Sequence, residues 1–267
     1  IKRILSILFL IIVFIIITLS IPTVQTYIAK KVTTKLNKNF GTNINISRLG
    51  LNWKGEIDIK DVYIEDHRSD TLIYVKTLNT NLLSLKNLVE GDLYFGFIEL
   101  NKAKFYIKTY KDEKSDNVSI FANKFNSTSP SSGNKFVLKA NDIKFSDSNV
   151  KITNENLEQS EIFNLSFINI ESEIFSIVGP NVNTTIKQLS LESQRGFDIK
   201  NLAGIFSYSL TSISIKQLKL KTDDSFINGA IMMDYKNGEL SDFVNKVDLN
   251  IHFNEAEIST NDLNTFY

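Results

Sequence analysis

Thr42-Asn-Ile-Asn-Ile-Ser-Arg-Leu-Gly-Leu-Asn-Trp-Lys-Gly-Glu-Ile-Asp-Ile-Lys-Asp-Val-Tyr-Ile64 decides how this chain folds. Ile44 and Ile46 alternate with Asn and Ser, and Leu49, Leu51 and Trp53 resume on the opposite parity. Ile57 and Ile59 alternate again, and Val62 and Ile64 follow a slip at Lys60-Asp61. A period of two marks strands with one apolar face. A slip of one residue turns every later side chain to the other face, so each slip predicts a turn or a bulge.

The same texture runs toward the C-terminus. Leu72 to Leu82 reads as a strand or two, and Ser84 to Glu90 reads as a short helix capped by Ser84 and stopped at Gly91. Strands resume at Leu93/Phe95, Ile98/Leu100 and Ala103/Phe105/Ile107. Lys111 to Asp116 reads as a charged turn, and Asn126-Ser-Thr-Ser-Pro-Ser-Ser-Gly-Asn134 as a loop. Short strands then recur from Phe136 to Phe253, with turns at Gly179-Pro180, Arg195-Gly196, Thr222 to Ser225 and Asn237-Gly238. No helix of ordinary length is expected after residue 91, and Ser241 to Val244 is assigned at most a single turn.

Toward the N-terminus the period becomes helical. Val24, Tyr27, Ile28, Val32, Leu36 and Phe40 recur at three or four residues, and Gly41 is placed as the C-cap. Amphipathicity suits either a helix supporting the β-domain or one lying on a membrane surface. Before it, Ile4 to Ile21 is uncharged, with only Ser6, Thr18 and Ser20 polar. A helix of that length spans roughly 27 Å, close to the hydrocarbon thickness of a bilayer. Its apolar side chains favour insertion by about 5 to 8 kcal/mol. The stretch exceeds a usual signal-peptide core, and Thr18-Leu19-Ser20 is a poor cleavage site, so an uncleaved anchor is expected over cleavage. Ile4, Phe9, Phe14 and Ile21 are its representative apolar positions, and Lys2 and Arg3 favour an N-terminus inside.

Composition narrows the function. The 30 basic and 30 acidic residues balance, which argues against a nucleic-acid partner. With no Cys there is no disulfide, thiolate metal site or cysteine nucleophile. No phosphate loop, nucleophile elbow, zinc motif or dinucleotide fingerprint is present, so no enzyme, metal or cofactor is expected. His67, in Glu65-Asp-His-Arg-Ser-Asp70, could be drawn as a metal or acid-base cluster, but a solvated turn is the expectation. His252 is expected on a polar strand face, and Trp53 in packing. Glu155, Glu158 and Glu161 lack calcium-ligand spacing.

Alternating strands leave two architectures open. The apolar face can close against a second sheet as a sandwich, giving a membrane-tethered structural or adhesion protein. It can instead stay open as a trough that shields acyl chains, at about 0.8 kcal/mol per methylene removed from water. Leu93, Phe95, Leu100, Phe105 and Ile107 are the candidate lining of such a trough.

The order of anchor, amphipathic helix and Gly41 to Asp66, continued by Leu82 to Leu100 and Ala103 to Ile107, resembles the start of TamB and other AsmA-like proteins. The resemblance covers residues 1–121 and departs at Ser115-Asp-Asn-Val118, where the family often has an Asp-Gly turn. It implies an all-β fold, an elongated curled β-sheet (a β-taco or β-groove), preceded by one transmembrane and one amphipathic helix. It implies a single-pass inner-membrane anchor with the bulk in the periplasm of a diderm bacterium. It implies phospholipid carriage toward the outer membrane, or outer-membrane protein assembly with a barrel partner of BamA/TamA type. The expected layout is an anchor over 1–22, an amphipathic helix over 23–41 and an AsmA-like β-module over 42–126 containing the helix near 84–90. A flexible loop over 127–134 and continuing groove repeats over 135–267, cut short of the full protein, complete it.

Overall fold

The computed structural model describes residues 21–52, 55–83, 93–125, 135–240 and 243–264. The expected anchor with Ile4, Phe9 and Phe14, Trp53, the helix near 84–90 and the loop over 127–134 lie outside the described residues. Within them, helix α1 (Pro22–Phe40) precedes eleven strands that form one open sheet, each strand beside its neighbour in the chain.

The strands are β1 (Asn43–Leu51), β2 (Glu56–Glu65), β3 (Thr71–Leu82), β4 (Leu93–Thr109), β5 (Val137–Asn154) and β6 (Glu161–Val178). They continue as β7 (Asn181–Ser193), β8 (Ile199–Tyr208), β9 (Ser212–Lys221), β10 (Phe226–Asp234) and β11 (Asp248–Glu257). All neighbours pair antiparallel except β4 and β5, which run parallel. A parallel pair needs a crossover, and residues 110–136 supply it with helix α2 (Asn117–Asn123) inside. Two short helices, α3 (Phe243–Lys246) and α4 (Thr260–Asn264), flank β11.

The pieces expected as separate short strands are joined. Leu93 to Ile107 is one strand, as are Leu138 to Ile152 with their neighbours. The joints are single residues with left-handed backbone: Asp61 at φ 50°, Lys102 at 53°, Asp147 at 49°, Phe167 at 48° and Gln217 at 53°. Each resets parity, so the apolar side chains before and after it face the same way; the pairing register shifts at Asp147, Phe167 and Gln217 as in a β-bulge, and runs on unshifted past Asp61 and Lys102. The slip at Lys60-Asp61 is a left-handed residue within a continuous strand, not a turn.

The consequence is a face that stays apolar from edge to edge. Paired residues share a face, and one row runs Leu49, Ile59, Leu78, Leu100, Phe145, Ile170, Leu189, Leu202, Leu220, Ile227, Ala256. The row one residue away reads Asp58, Asn79, Glu99, Lys144, Glu171, Gln188 across β2 to β7. On that polar side Lys144 pairs with Glu171 at 3.1 Å and Lys187 with Glu173 at 2.6 Å. These exposed pairs contribute little stability, about 0 to 1 kcal/mol each, but they fix which face meets water.

Helix α1 begins with Pro22 and ends at Gly41, whose φ of 62° is the left-handed cap expected there. Its buried face is not the purely apolar stripe of the sequence reading. Gln25, Ala29 and Thr33 are buried, whereas Tyr27 is 65% exposed. The Thr33 hydroxyl bonds back to the Ala29 carbonyl at 3.0 Å, which lets a polar residue lie there. At its end Asn37 accepts from the Ile44 N–H at 2.8 Å and donates to the Ile44 carbonyl at 3.0 Å. That side chain therefore satisfies the first free backbone groups on the β1 edge.

A candidate apolar trough

Local sequence places α2 against the apolar face of the sheet. Asp116 caps the helix, accepting from the Ser119 N–H at 2.8 Å and the Ser119 hydroxyl at 2.7 Å. Asn117 is 1% exposed and uses its whole amide. Its Oδ1 accepts from the Lys108 N–H at 2.8 Å, and its Nδ2 donates to the Tyr106 carbonyl and to Asp66, each at 3.0 Å. The side chain thus extends the β4 ladder and ties the helix to it.

Asp66 is the hub of that tie. It also accepts from the Tyr110 hydroxyl at 2.6 Å and from the backbone N–H groups of Arg68 and Asp70. Burial pushes its carboxyl up, but the bonds from Tyr110 and Asn117 and the two backbone N–H groups outweigh it, so its pKa lies below the ordinary aspartate value. Tyr110, desolvated and donating to Asp66 and Asp70, is held neutral well above the usual phenol range. His67 is drawn into the same corner: its Nε2 lies 2.8 Å from Glu113, and its ring stands edge-on to Tyr110. The expected solvated turn is therefore a tethered one, with Arg68 bonding Glu113 at 2.8 Å as well. Among the described residues no group of acidic and His side chains is arranged to hold a metal ion.

Residues of α2 and its flanks also reach the start of β1 and the segment after β10. The Lys124 ammonium donates to the Gly41 carbonyl just before β1 at 2.7 Å. Asn123 and Asn237, beyond the end of β10, exchange amide bonds at 3.0 and 3.3 Å. Ser115 donates to the Gly238 carbonyl at 3.3 Å, and the Asp116 carboxylate lies within electrostatic reach of the Tyr208 phenol at the end of β8. Phe125 stacks on Phe40, Phe121 and Phe136 at centroid distances of 5.1, 5.2 and 4.9 Å. One short segment can meet β3 to β6 on one side and the ends of β8 and β10 on the other only if the sheet curls around it. The apolar face is the inside of that curl.

Between α2 and the sheet lies an unfilled cleft of about 360 Å³. Its walls are Leu72, Ile73, Phe105, Ile107, Phe145, Val150, Ile168 and Ile170 from the sheet, and Val118 and Phe121 from the helix, and no polar atom is exposed in it. Ser148 also lines it, with its hydroxyl taken up by the Ala103 N–H and the Ser146 carbonyl at 3.2 Å each.

All five candidate lining residues stand on the inner face. Leu93 is opposite Leu138, Phe95 opposite Ala140 and Leu100 opposite Phe145. Phe105 and Ile107, opposite Val150 and Ile152, belong to the cleft. Lys104 and Tyr106 lie on the outer face, opposite Asn149 and Lys151. Sequence reading missed α2 altogether. Asp116 ahead of Val118-Ser-Ile-Phe121 is a capping signal, but seven residues are too few for a helical period to stand out. Among the described residues no helix is long and apolar enough to cross a membrane, and of the expected anchor positions only Ile21, 43% exposed, is described.

The sequence matches no family model, and it matches no curated protein.

Proposed function

We propose that this chain is a non-enzymatic, membrane-anchored β-groove protein of the AsmA-like, TamB-related class, whose trough carries phospholipid acyl chains between the inner and outer membranes. The observation that carries the reading is the apolar row from Leu49 to Ala256, unbroken through eleven strands, on the inside of a curled sheet. A contiguous apolar surface of this extent marks a binding surface in a soluble fold. The polar outer face, with its cross-strand Lys–Glu pairs, suits an aqueous compartment such as the periplasm. A role in outer-membrane protein assembly with a BamA/TamA-type barrel remains the companion proposal, since a trough that holds acyl chains also suits apolar strands.

The rival, a closed sandwich that recognises partners through loops, needs a second sheet, and the described strands form a single one. A photoreactive side chain placed at Phe105 or Ile107 should capture phospholipid from membranes, and one at Lys104 or Tyr106 should not. Equal labelling at all four positions would refute the trough.

A further inference from the structure

Protein interiors are packed about as densely as organic crystals, so an apolar gap of about 360 Å³ beneath a tethered helix calls for an occupant. We infer that the cleft between α2 and strands β3 to β6 is a site for one straight acyl chain, threaded beneath α2 as beneath a strap. This deepens the lipid reading above and rests on it. The walls set the chemistry: phenylalanine, leucine, isoleucine and valine, with the one lining hydroxyl already bonded, offer nothing to a polar ligand. Volume sets the size. An apolar cavity of about 150 Å³ takes a six-carbon ring, so 360 Å³ has room for one chain of about a dozen carbons.

The strap is held at both ends, by Asn117 on Asp66 and β4 and by Lys124 and Phe125 on the start of β1 and the aromatic cluster. Elsewhere the trough is a broad face. Beneath α2 it is roofed by Val118 and Phe121, which face Phe105, Ile107, Phe145 and Val150 across the cleft. A two-chain lipid then engages with one tail under the strap and the other along the open row.

The test uses the full chain in membranes and a photoreactive twelve-carbon fatty acid, with labelled residues mapped by mass spectrometry. Labels are expected on Phe105, Ile107, Val150, Val118 and Phe121. Val118→Trp, which fills the cleft from the strap side, should reduce them at least about tenfold, as exclusion from a filled space requires. Val118→Ala should label as well as the parent, and matched thermal unfolding shows that the tryptophan variant is folded. Labelling that ignores Val118→Trp overturns the single-chain site. So does a photoreactive diacyl phospholipid that marks Leu189, Leu202 and Leu220 while the fatty acid leaves the cleft unmarked, although the lipid trough itself then stands. If neither lipid marks the inner face, the trough reading and the strap site fall together.

Discussion

Strand β4 and strand β11 share the same alternation and the same sheet, yet one is interior and the other lies open. In β4, Ala103 is fully buried and Ile98 is 6% exposed, between neighbours on both sides and with α2 over the inner face. In β11, Leu249, Ile251 and Phe253 point to the same inner face and are 45%, 42% and 46% exposed. The pattern of residues is equivalent; the cover is not. An alternating strand announces an apolar face, and only what lies above and beside it decides how far that face leaves water. The two margins differ similarly. The β1 edge is met by Asn37 of α1, whereas among the described residues β11 pairs with β10 alone.

If cover makes the difference, truncation should cost most beneath α2. Leu72→Ala removes a side chain that is 1% exposed, and urea denaturation should show a loss of about 2 to 5 kcal/mol. Leu249→Ala at the open margin should cost a small fraction of that, and comparable losses would break the comparison.

The β10–β11 contact can be attacked directly. A Cβ on Gly229 would stand 1.9 Å from the His252 carbonyl oxygen, a backbone atom that cannot step aside. Gly229→Ala should therefore destabilise by about 1 to 3 kcal/mol. Amide hydrogen exchange should localise the loosening to β11, leaving β4 protected.

Asn117→Ala leaves the covered region with its strap untied. The Lys108 N–H and one Asp66 lone pair lose their partner, and the expected loss is about 1 to 3 kcal/mol, read as faster exchange in α2. Acid should act on the same tie. Because the Asp66 pKa lies below its unfolded value of 3.8 when folded, its contribution is complete above that value. It is lost as pH falls through the lower folded value. Protection of α2 amides should thus decline below about pH 4, and Asp66→Asn should flatten the decline.

The smallest effect belongs to the exposed margin. Phe253→Ser should change stability by no more than about 0.5 to 1 kcal/mol. It should reduce self-association measured by light scattering, since an open edge with an apolar face invites strand pairing.

Much of the sheet was legible because parity is a local signal. Ile57, Ile59, Val62 and Ile64 show both the strand and the place where it slips, and Leu93/Phe95 and Phe105/Ile107 each follow from alternation, whereas their shared face with Leu100 depends on the register shift after Phe95 and the left-handed Lys102. A slip does not say whether the chain turns back or bulges and continues. Asp61, Lys102 and Asp147 were therefore open to being read as strand ends, although their left-handed backbones keep single strands running. The parallel pairing of β4 with β5 left no mark, because it depends on where a crossover delivers the chain. The Asp66, Tyr110 and Asn117 tie joins residues 44 and 51 positions apart, a separation no window of sequence spans.

The sequence by itself determined that the chain makes amphipathic strands with one oily face, and that Gly41 ends the helix before them. These are consequences of backbone geometry acting over a few residues. Tertiary structure alone decided that the left-handed residues and bulges align that face across all eleven strands, that the sheet curls, and that α2 lies within it above an apolar cleft. Those outcomes depend on contacts between distant segments, where packing and hydrogen-bond satisfaction, not periodicity, select one arrangement.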